Sequence, residues 1–540
     1  MTTTAITPPL TLAGAPASAW AFGIRIWIGV VAALAASFWL ELEAPSSAAV
    51  TVAILAVPTR GQALDKAVYR SIATLIGVTA ALAITGIFSQ ARDLLIAALA
   101  GWIGLCVYAA GLMDGTRAYA AVLSGYTVAL VAIQQLDTPE HVFESGVARG
   151  AAIAVGIVAI AVVNDVFVAP DSHPLLASRL AVLHDRVRDY AKAVFQNETS
   201  DVAAAAGLLR DVAALHPDLT SLAGESSSGA IRGIAARSTA VALVAAVSAA
   251  RTLKALLPTA DPAAASRELA RRDVEVRDSL AALSAGTRPQ RAWRAPLYRS
   301  QLIAAAAGIR AAAWFALAAV FFVLAGWPTA DTSLSTVAVV IGLGATTPNP
   351  NGFTVIAFIV APFAAALAGT LEFLVLDGVN EFPLLALALA PFVIGTAVLM
   401  TRPNPSLASL GRLGLVFMLV IFAPNNPPAY DPQSFLVTSL FVGVAAGLLL
   451  AAHMLVPTES GERRQRWILA SARRDFERVL SRRKRGVAPE EAMFRDATRI
   501  AQIPGQPATS PRDSAVVAEA LSYFDRAAAI RLAPATEVLS

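Results

Sequence analysis

The sequence predicts an all-α membrane protein with about twelve transmembrane helices, set out as two parallel six-helix repeats plus cytoplasmic helical domains. Three observations predict it. The chain of 540 residues is 56% hydrophobic and only 15% charged, with mean hydropathy +0.62; soluble domains carry about 25% charged residues. Its apolar segments fall in two blocks around a long, polar, Ala-rich stretch. Short strings also recur between the blocks at one offset of 285 residues: Gly-Ile-Arg at 23–25 and 308–310, and Thr-Val-Ala plus a β-branched residue at 51–54 and 336–339.

Residues 1–19 contain no Lys or Arg and read as a cytoplasmic N-terminal segment rather than a signal peptide. The first repeat, 20–168, offers crossings at 20–40, 44–57, 67–88, 94–112, 118–136 and 146–168. A helical domain, 169–301, follows; Leu180, Leu183, Val187, Tyr190 and Val194 recur there at helical spacing. The second repeat, 302–456, offers crossings at 302–326, 334–345, 353–376, 382–400, 413–423 and 435–456. A basic helical tail, 457–540, closes the chain; its run from Glu462 to Gly486 carries Trp467, Leu469, Phe476, Val479 and Leu480 among arginines. Such a helix is expected to lie against anionic lipid headgroups.

Basic residues orient the bundle. Arg60, Lys66, Arg70, Arg117, Arg402 and Arg412 mark one side, and Glu41, Glu43, Asp137, Glu140, Asp331, Asp377, Glu381 and Asp431 mark the other. Arg92 is the one dissenting charge. This places both termini and the middle domain in the cytoplasm of a multi-pass inner-membrane protein.

The second and eighth crossings are too short to span, since a helix needs about 20 apolar residues. They end in Pro-Thr-Arg-Gly (58–61) and Thr-Thr-Pro-Asn-Pro-Asn-Gly (346–352). Interrupted segments at matching places in two halves point to a substrate site, because freed backbone groups must face protein or a water-filled cavity. Pro58, Thr59 and Arg60, with Thr347, Pro348 and Asn349, are therefore expected to line a cytoplasmic vestibule. The alternative is a tilted helix with a polar flank and no site.

Arg25 and Arg310 match across the repeat. Two guanidinium groups can clamp a carboxylate in a two-pronged geometry, or they can snorkel to headgroups. Tyr119 and Tyr126 share a helix face and could receive an aromatic ring. Glu372 lies within the ninth crossing and is the candidate for proton coupling, although the first block has no matching acid.

Several classes are excluded. There is no phosphate-binding loop, no G-x-S-x-G and no His pair at zinc spacing; Cys106 is the only cysteine. An enzyme, a resident cofactor or metal, and a nucleic-acid partner are not expected.

The strings Pro-Thr-Arg-Gly with the following 64–77, 117–127, 162–170, 326–340, 346–353 and 423–436 together resemble the fusaric-acid-resistance (FUSC) and aromatic-acid-exporter proteins over nearly the whole chain. The resemblance implies an inner-membrane efflux component for aromatic carboxylic acids or related xenobiotics. It also implies a periplasmic adaptor and, in some systems, an outer-membrane channel. The fold is similar to that of plant aluminium-activated malate channels, so a passive organic-anion channel stands beside the proton-driven exporter as the second expectation.

Overall fold

The computed structural model describes residues 11–12, 14–167, 170–196, 202–222, 228–256, 262–327, 330–347, 349–427, 430–481, 488–503 and 511–532. In chain order the helices begin with α1 Ala17–Trp39, α2 Pro45–Ile54, α3 Arg60–Phe88, α4 Arg92–Leu112, α5 Gly115–Ala132 and α6 Val142–Val166. Then come α7 His173–Phe195, α8 Val202–Ala214, α9 His216–Ser221, α10 Gly229–Leu256 and α11 Pro262–Ala285. Next are α12 Gln301–Ala325, α13 Ala330–Ala345, α14 Pro350–Gly369, α15 Phe382–Met400, α16 Pro405–Phe422 and α17 Pro432–Leu455. The last three are α18 Gly461–Leu480, α19 Pro489–Ala501 and α20 Pro511–Leu532. The chain divides into two units, Met1–Pro170 with Ala304–Thr458, and Asp171–Ile303 with Glu459–Ser540.

In the first unit, α1 packs on α2 and α6, α3 on α5 and α6, and α4 on α5. In the second half of that unit α13 packs on α17, as α2 does on α6, α14 packs on α16 and α17, and α15 on α16. The halves meet through α1 on α15, α2 on α16 and α13 on α5. They also meet at Gly308 of α12, where a Cβ would come within 2.6 Å of the Gly104 carbonyl oxygen on α4. The offset seen in the sequence reappears in the contacts. A Cβ on Gly156 would meet the Ala48 carbonyl oxygen at 2.5 Å; 285 residues on, Ser333 Oγ donates to the Phe441 carbonyl at 2.9 Å.

Among the described residues, ten helices are long and apolar enough to cross a membrane. One of them, Gly229–Thr252, lies in the second unit and is buried in its core. The helices α2 and α13, of 10 and 16 residues, are shorter. At 1.5 Å per residue α2 is about 15 Å long, half the hydrocarbon thickness.

Two helix starts differ from the apolar runs. α3 begins at Arg60, not at residue 67, and α16 at Pro405, not at residue 413. Proline favours the first helical turn, and Asn404 caps α16 by accepting from the Ser406 amide at 2.9 Å. The polar first turns escape a search for apolar runs. As a result Lys66, Arg70 and Arg412, expected as loop charges, sit within helices.

The second unit is helical. α10 forms its centre, and Leu180, Val187, Leu209, Leu243, Val276, Ile468, Phe494 and Leu521 share one core. The helices α18–α20 thus build the same core as α7–α11. Arg272, 1% exposed, is held there by Glu268, Glu275 and Glu490, each at 3.0 Å. Arg251 makes a bidentate pair with Asp525, at 2.7 Å for the shorter contact.

Candidate functional site

The last four carbonyls of any helix lack partners within it, and α2 ends inside the bundle rather than at a surface. Its orphan groups are met by cations from neighbouring helices. Lys66 Nζ donates to the Ile54 carbonyl at 2.6 Å. Arg25 Nη2 donates to the Pro58 carbonyl in the loop beyond, at 3.0 Å. Arg70 Nη2 donates to Thr51 Oγ1 at 3.1 Å, and its Nη1 to the Tyr119 hydroxyl at 2.7 Å. Lys66 also stands 5.1 Å above the Tyr119 ring, a cation–π contact. Tyr126 is within hydrogen-bonding reach of both Tyr119 and Arg70.

Arg70 is ten residues into α3, about 15 Å along its axis, and is 4% exposed. Arg412 of α16 lies near enough to Lys66, and Arg149 of α6 near enough to Arg70, for their like charges to be felt. Asp65, the carboxylate closest in sequence, is engaged by the Thr116 hydroxyl at 2.5 Å. Among the described residues none of the five cations Arg25, Lys66, Arg70, Arg149 and Arg412 forms an ion pair. The buried Nε groups of Arg25, Arg70 and Arg149 have no hydrogen-bond partner. Intramembrane charge is costly unless it is paired or functional. The cluster therefore has the makings of an anion site, with two tyrosine rings beside it.

The Tyr126 ring reaches across to the other half. A Cβ on Gly342 of α13 would lie 2.9 Å from that ring, so the glycine makes room for it. The end of α13 itself is closed without cations. Thr346 and Thr347 hydroxyls donate back to the Leu343 and Gly344 carbonyls, each at 2.7 Å. Asn349 caps α14 by accepting from the Gly352 amide at 3.0 Å.

The structure thus brings Arg25, Pro58, Tyr119 and Tyr126 into one neighbourhood. The buried hydroxyl of Thr59 has no partner. The Arg60 side chain and Pro348 lie outside the described residues. Arg310 is half-buried on α12. Sequence reasoning missed Lys66, Arg70, Arg149 and Arg412. The available signal was the four-residue spacing of Lys66 and Arg70 running on into the apolar face of one helix.

Glu372 lies at the opposite end of the bundle, on a π-helical turn, Thr370–Val375, that closes α14. It is 7% exposed and faces a cavity of about 440 Å³ between the ends of α1, α14 and α16 and the start of α15. Among the described residues no group of His, Cys, Asp and Glu is arranged to hold a metal ion.

A bundle of long apolar helices with two truncated ones and an intramembrane cation cluster defines a multi-pass membrane protein of the transporter type. The chain belongs to the fusaric acid resistance protein family, whose model matches residues 19–272 and again 262–533. The uncharacterized transporter YdhK of Salmonella typhimurium is 29% identical over 184 residues, 34% of this chain and 27% of that protein. The p-hydroxybenzoic acid efflux pump subunit AaeB of Edwardsiella tarda is 25% identical over 515 residues, 82% of this chain and 77% of that protein. AaeB of Yersinia enterocolitica is 25% identical, over 83% of this chain. The chain thus matches about a quarter of the length of YdhK and three quarters of AaeB. No solved structure matches it.

Proposed function

We propose that this protein exports aromatic carboxylates or related organic anions across the bacterial inner membrane, driven by the proton gradient. Twelve helices in two parallel six-helix repeats form the transport unit, with both termini and the helical unit in the cytoplasm. The observation that carries this reading is the cation cluster at the end of α2. Among the described residues the Nε groups of Arg25, Arg70 and Arg149 lack acceptors and the five charges lack carboxylates, and Tyr119 and Tyr126 stand beside them. Arg70 and Lys66 hold the carboxylate, the tyrosines flank the ring, and Arg25 braces the loop at Pro58. Arg310 of the second repeat, with Thr347 and Asn349, lies along the same cytoplasmic entry. The name of the AaeB relatives favours the same substrate class. Glu372 is the titrating carboxylate of the coupling step. A periplasmic adaptor and an outer-membrane channel take the substrate onward.

The test is accumulation of a labelled aromatic acid and of its amide in cells with and without the protein. Lower accumulation of the acid but not of the amide is the expected result. Equal accumulation with and without the protein, across a panel of such acids, would sink the reading. Export that persists after collapse of the proton gradient and in Glu372→Gln would replace the pump with a passive anion channel.

A further inference from the structure

The cavity beneath Glu372 carries more chemistry than the proton step proposed for that carboxylate requires. Its walls supply Phe38 and Trp39 from the end of α1, Phe382 from the start of α15, Phe422 from the end of α16, and Tyr430. Phe38 and Phe382 stand edge to face, with centroids 5.9 Å apart. Tyr430 is fixed by donating its hydroxyl to the Val379 carbonyl at 2.5 Å.

The charged groups of this cavity are carboxylates, and the neutral amides of Asn380, Asn425 and Asn426 line it beside them. Glu372 points in from the π-helical turn, and Glu381 stands exposed at the rim. Asp431 and Asp377 add negative charge nearby, the first felt at Glu372 and the second at Tyr430. Among the described residues no Lys or Arg lines the cavity, and α1 contributes no titratable group to it. Among the described residues Glu372 has neither a hydrogen bond nor an ion pair, although it is 7% exposed. Its carboxylate opens onto the cavity, where an entering cation can reach it as a counter-ion. π-Helical turns within longer helices mark functional sites often enough to add weight to the placement.

We propose that this cavity is a binding site for a monocationic aromatic or alkyl ammonium compound, with Glu372 as its counter-ion and the surrounding rings as its cage. Rings around a desolvated cation attract it through their negative faces, and about 440 Å³ is within the range of small-molecule pockets. Such a ligand is opposite in charge to the one proposed for the α2 cluster, and its site lies at the other end of the helices. The two sites stand or fall separately.

The test uses the full chain in lipid nanodiscs and radiolabelled benzyltrimethylammonium, whose charge does not change with pH. Its neutral isostere, neopentylbenzene, and benzoate serve as competitors. Saturable binding is expected, displaced by unlabelled cation and not by benzoate, with neopentylbenzene at least about tenfold weaker because it lacks the charge. Glu372→Gln should weaken the cation about tenfold or more through loss of coulombic attraction, and Glu381→Gln at the rim by about two- to threefold. A thermal melt equal to that of the parent establishes that Glu372→Gln is folded. A cation affinity unchanged in Glu372→Gln, competition by neopentylbenzene at equal strength, or no saturable binding to the parent protein would each overturn the proposal. Should Glu372→Gln melt early, Glu372→Asp is the second variant. Retained binding with the shorter acid supports the site, and loss of cation binding in a stable Glu372→Asp protein overturns it.

Discussion

α2 ends at Ile54 with Lys66 closing on its last carbonyl, Arg25 on the loop beyond, and Arg70 on Thr51. α13, in the matching place of the other half, ends at Ala345 with two threonine hydroxyls folded back on its own carbonyls. The second case shows how little a truncated helix needs: two hydroxyls suffice. The cations at the end of α2 therefore exceed what capping requires, and the excess is what makes that end a candidate site. The far end reverses the bias. Glu372 faces its cavity in the second half, whereas the residue 285 positions earlier is Ile87, 72% exposed along the outer face. The two ends thus differ in kind: the cation cluster draws on α1, α3 and α6 with Arg412 of α16 from the second half, whereas the buried acid at the far end has no counterpart in the first half.

The largest expected effect comes from removing the cation that joins the two helices of the cluster. Arg70→Gln should lower export of an aromatic acid about a hundredfold, since a hydrogen bond to a charged group contributes about 1.5–3 kcal/mol. Arg70→Lys should lose less, because the charge survives without the fork. Asn349→Ala, at the neutral end of the other half, should change export less than about threefold while costing about 1 kcal/mol of stability through the lost cap. Uptake of the acid into everted vesicles measures all three. Equal losses at Arg70 and Asn349 would erase the distinction between the two ends.

Packing offers a second contrast. Gly156→Ala would push a methyl group against the Ala48 carbonyl and Thr51, at 2.5 and 2.8 Å. Neither is the end of a flexible side chain, and overpacking of this kind costs about 1–3 kcal/mol. Gly447→Ala on α17 would meet only a Phe358 ring atom at 3.5 Å. There the gain in helix propensity, up to about 1 kcal/mol, should prevail. Thermal melts in detergent should therefore shift in opposite directions. A rise in both would mean that α2 is not seated on α6 as described.

Lys66→Met should have a smaller effect on stability. It leaves the Ile54 carbonyl without its donor, a loss of about 1–3 kcal/mol, but also removes repulsion from Arg70 and Arg412. A net loss of about 1 kcal/mol is expected. Thr347→Val, the corresponding change at α13, should cost less than that. Denaturant midpoints measured side by side would rank them, and the reverse order would mean that Lys66 does little to cap α2.

How much of this was legible beforehand depends on what each residue type announces. The apolar blocks, the short second and eighth helices and the tyrosine face followed from spacing. Arg25 was visible because Gly-Ile-Arg recurs. Lys66, Arg70 and Arg412 were hidden by their position near charged segment ends. The same residues satisfy the rule that basic loops stay inside, so nothing in composition separated a loop charge from a buried one. What decides between them is where the helix begins, which hydropathy does not mark; at α16 the sign is Pro405 in the first turn. Arg149 had no motif to announce it. The shared core of α18–α20 with α7–α11 depends on pairs such as Arg251 with Asp525, 274 residues apart, which no local pattern reveals.

That long-range pair supports the last prediction, which asks whether the segments following the two halves act as one body. Asp475 is paired within the C-terminal segment, with Arg478 at 2.7 Å, Arg495 at 3.1 Å and Arg499. Burial pushes its carboxyl up, but the three arginines together hold it below the usual range. Asp525 instead ties that segment to Arg251 of the middle one, and burial leaves its carboxyl raised despite the arginine. The signs differ. A carboxylate with a depressed folded-state pKa gives stability that is present above its unfolded value of about 3.9 and lost as pH falls through the folded value. One with a raised folded-state pKa gains relative stability as pH falls through that value. Between about pH 6 and pH 3 the parent's acid-induced loss contains both contributions. Asp475→Asn should flatten that loss and Asp525→Asn should steepen it, each by about 1 kcal/mol or less over the interval. The slopes are compared, so the constant cost of each broken pair drops out, as do the other titrating groups the variants share. Melts of the full chain followed by a tryptophan signal, Trp293 or Trp467 retained singly, would report the two segments apart. If the segments form one body, both tryptophans will follow the same altered slope in either variant. If only Trp467 responds to Asp475→Asn while Trp293 keeps the parent slope, the C-terminal helices melt on their own and the Arg251–Asp525 tie does not couple them.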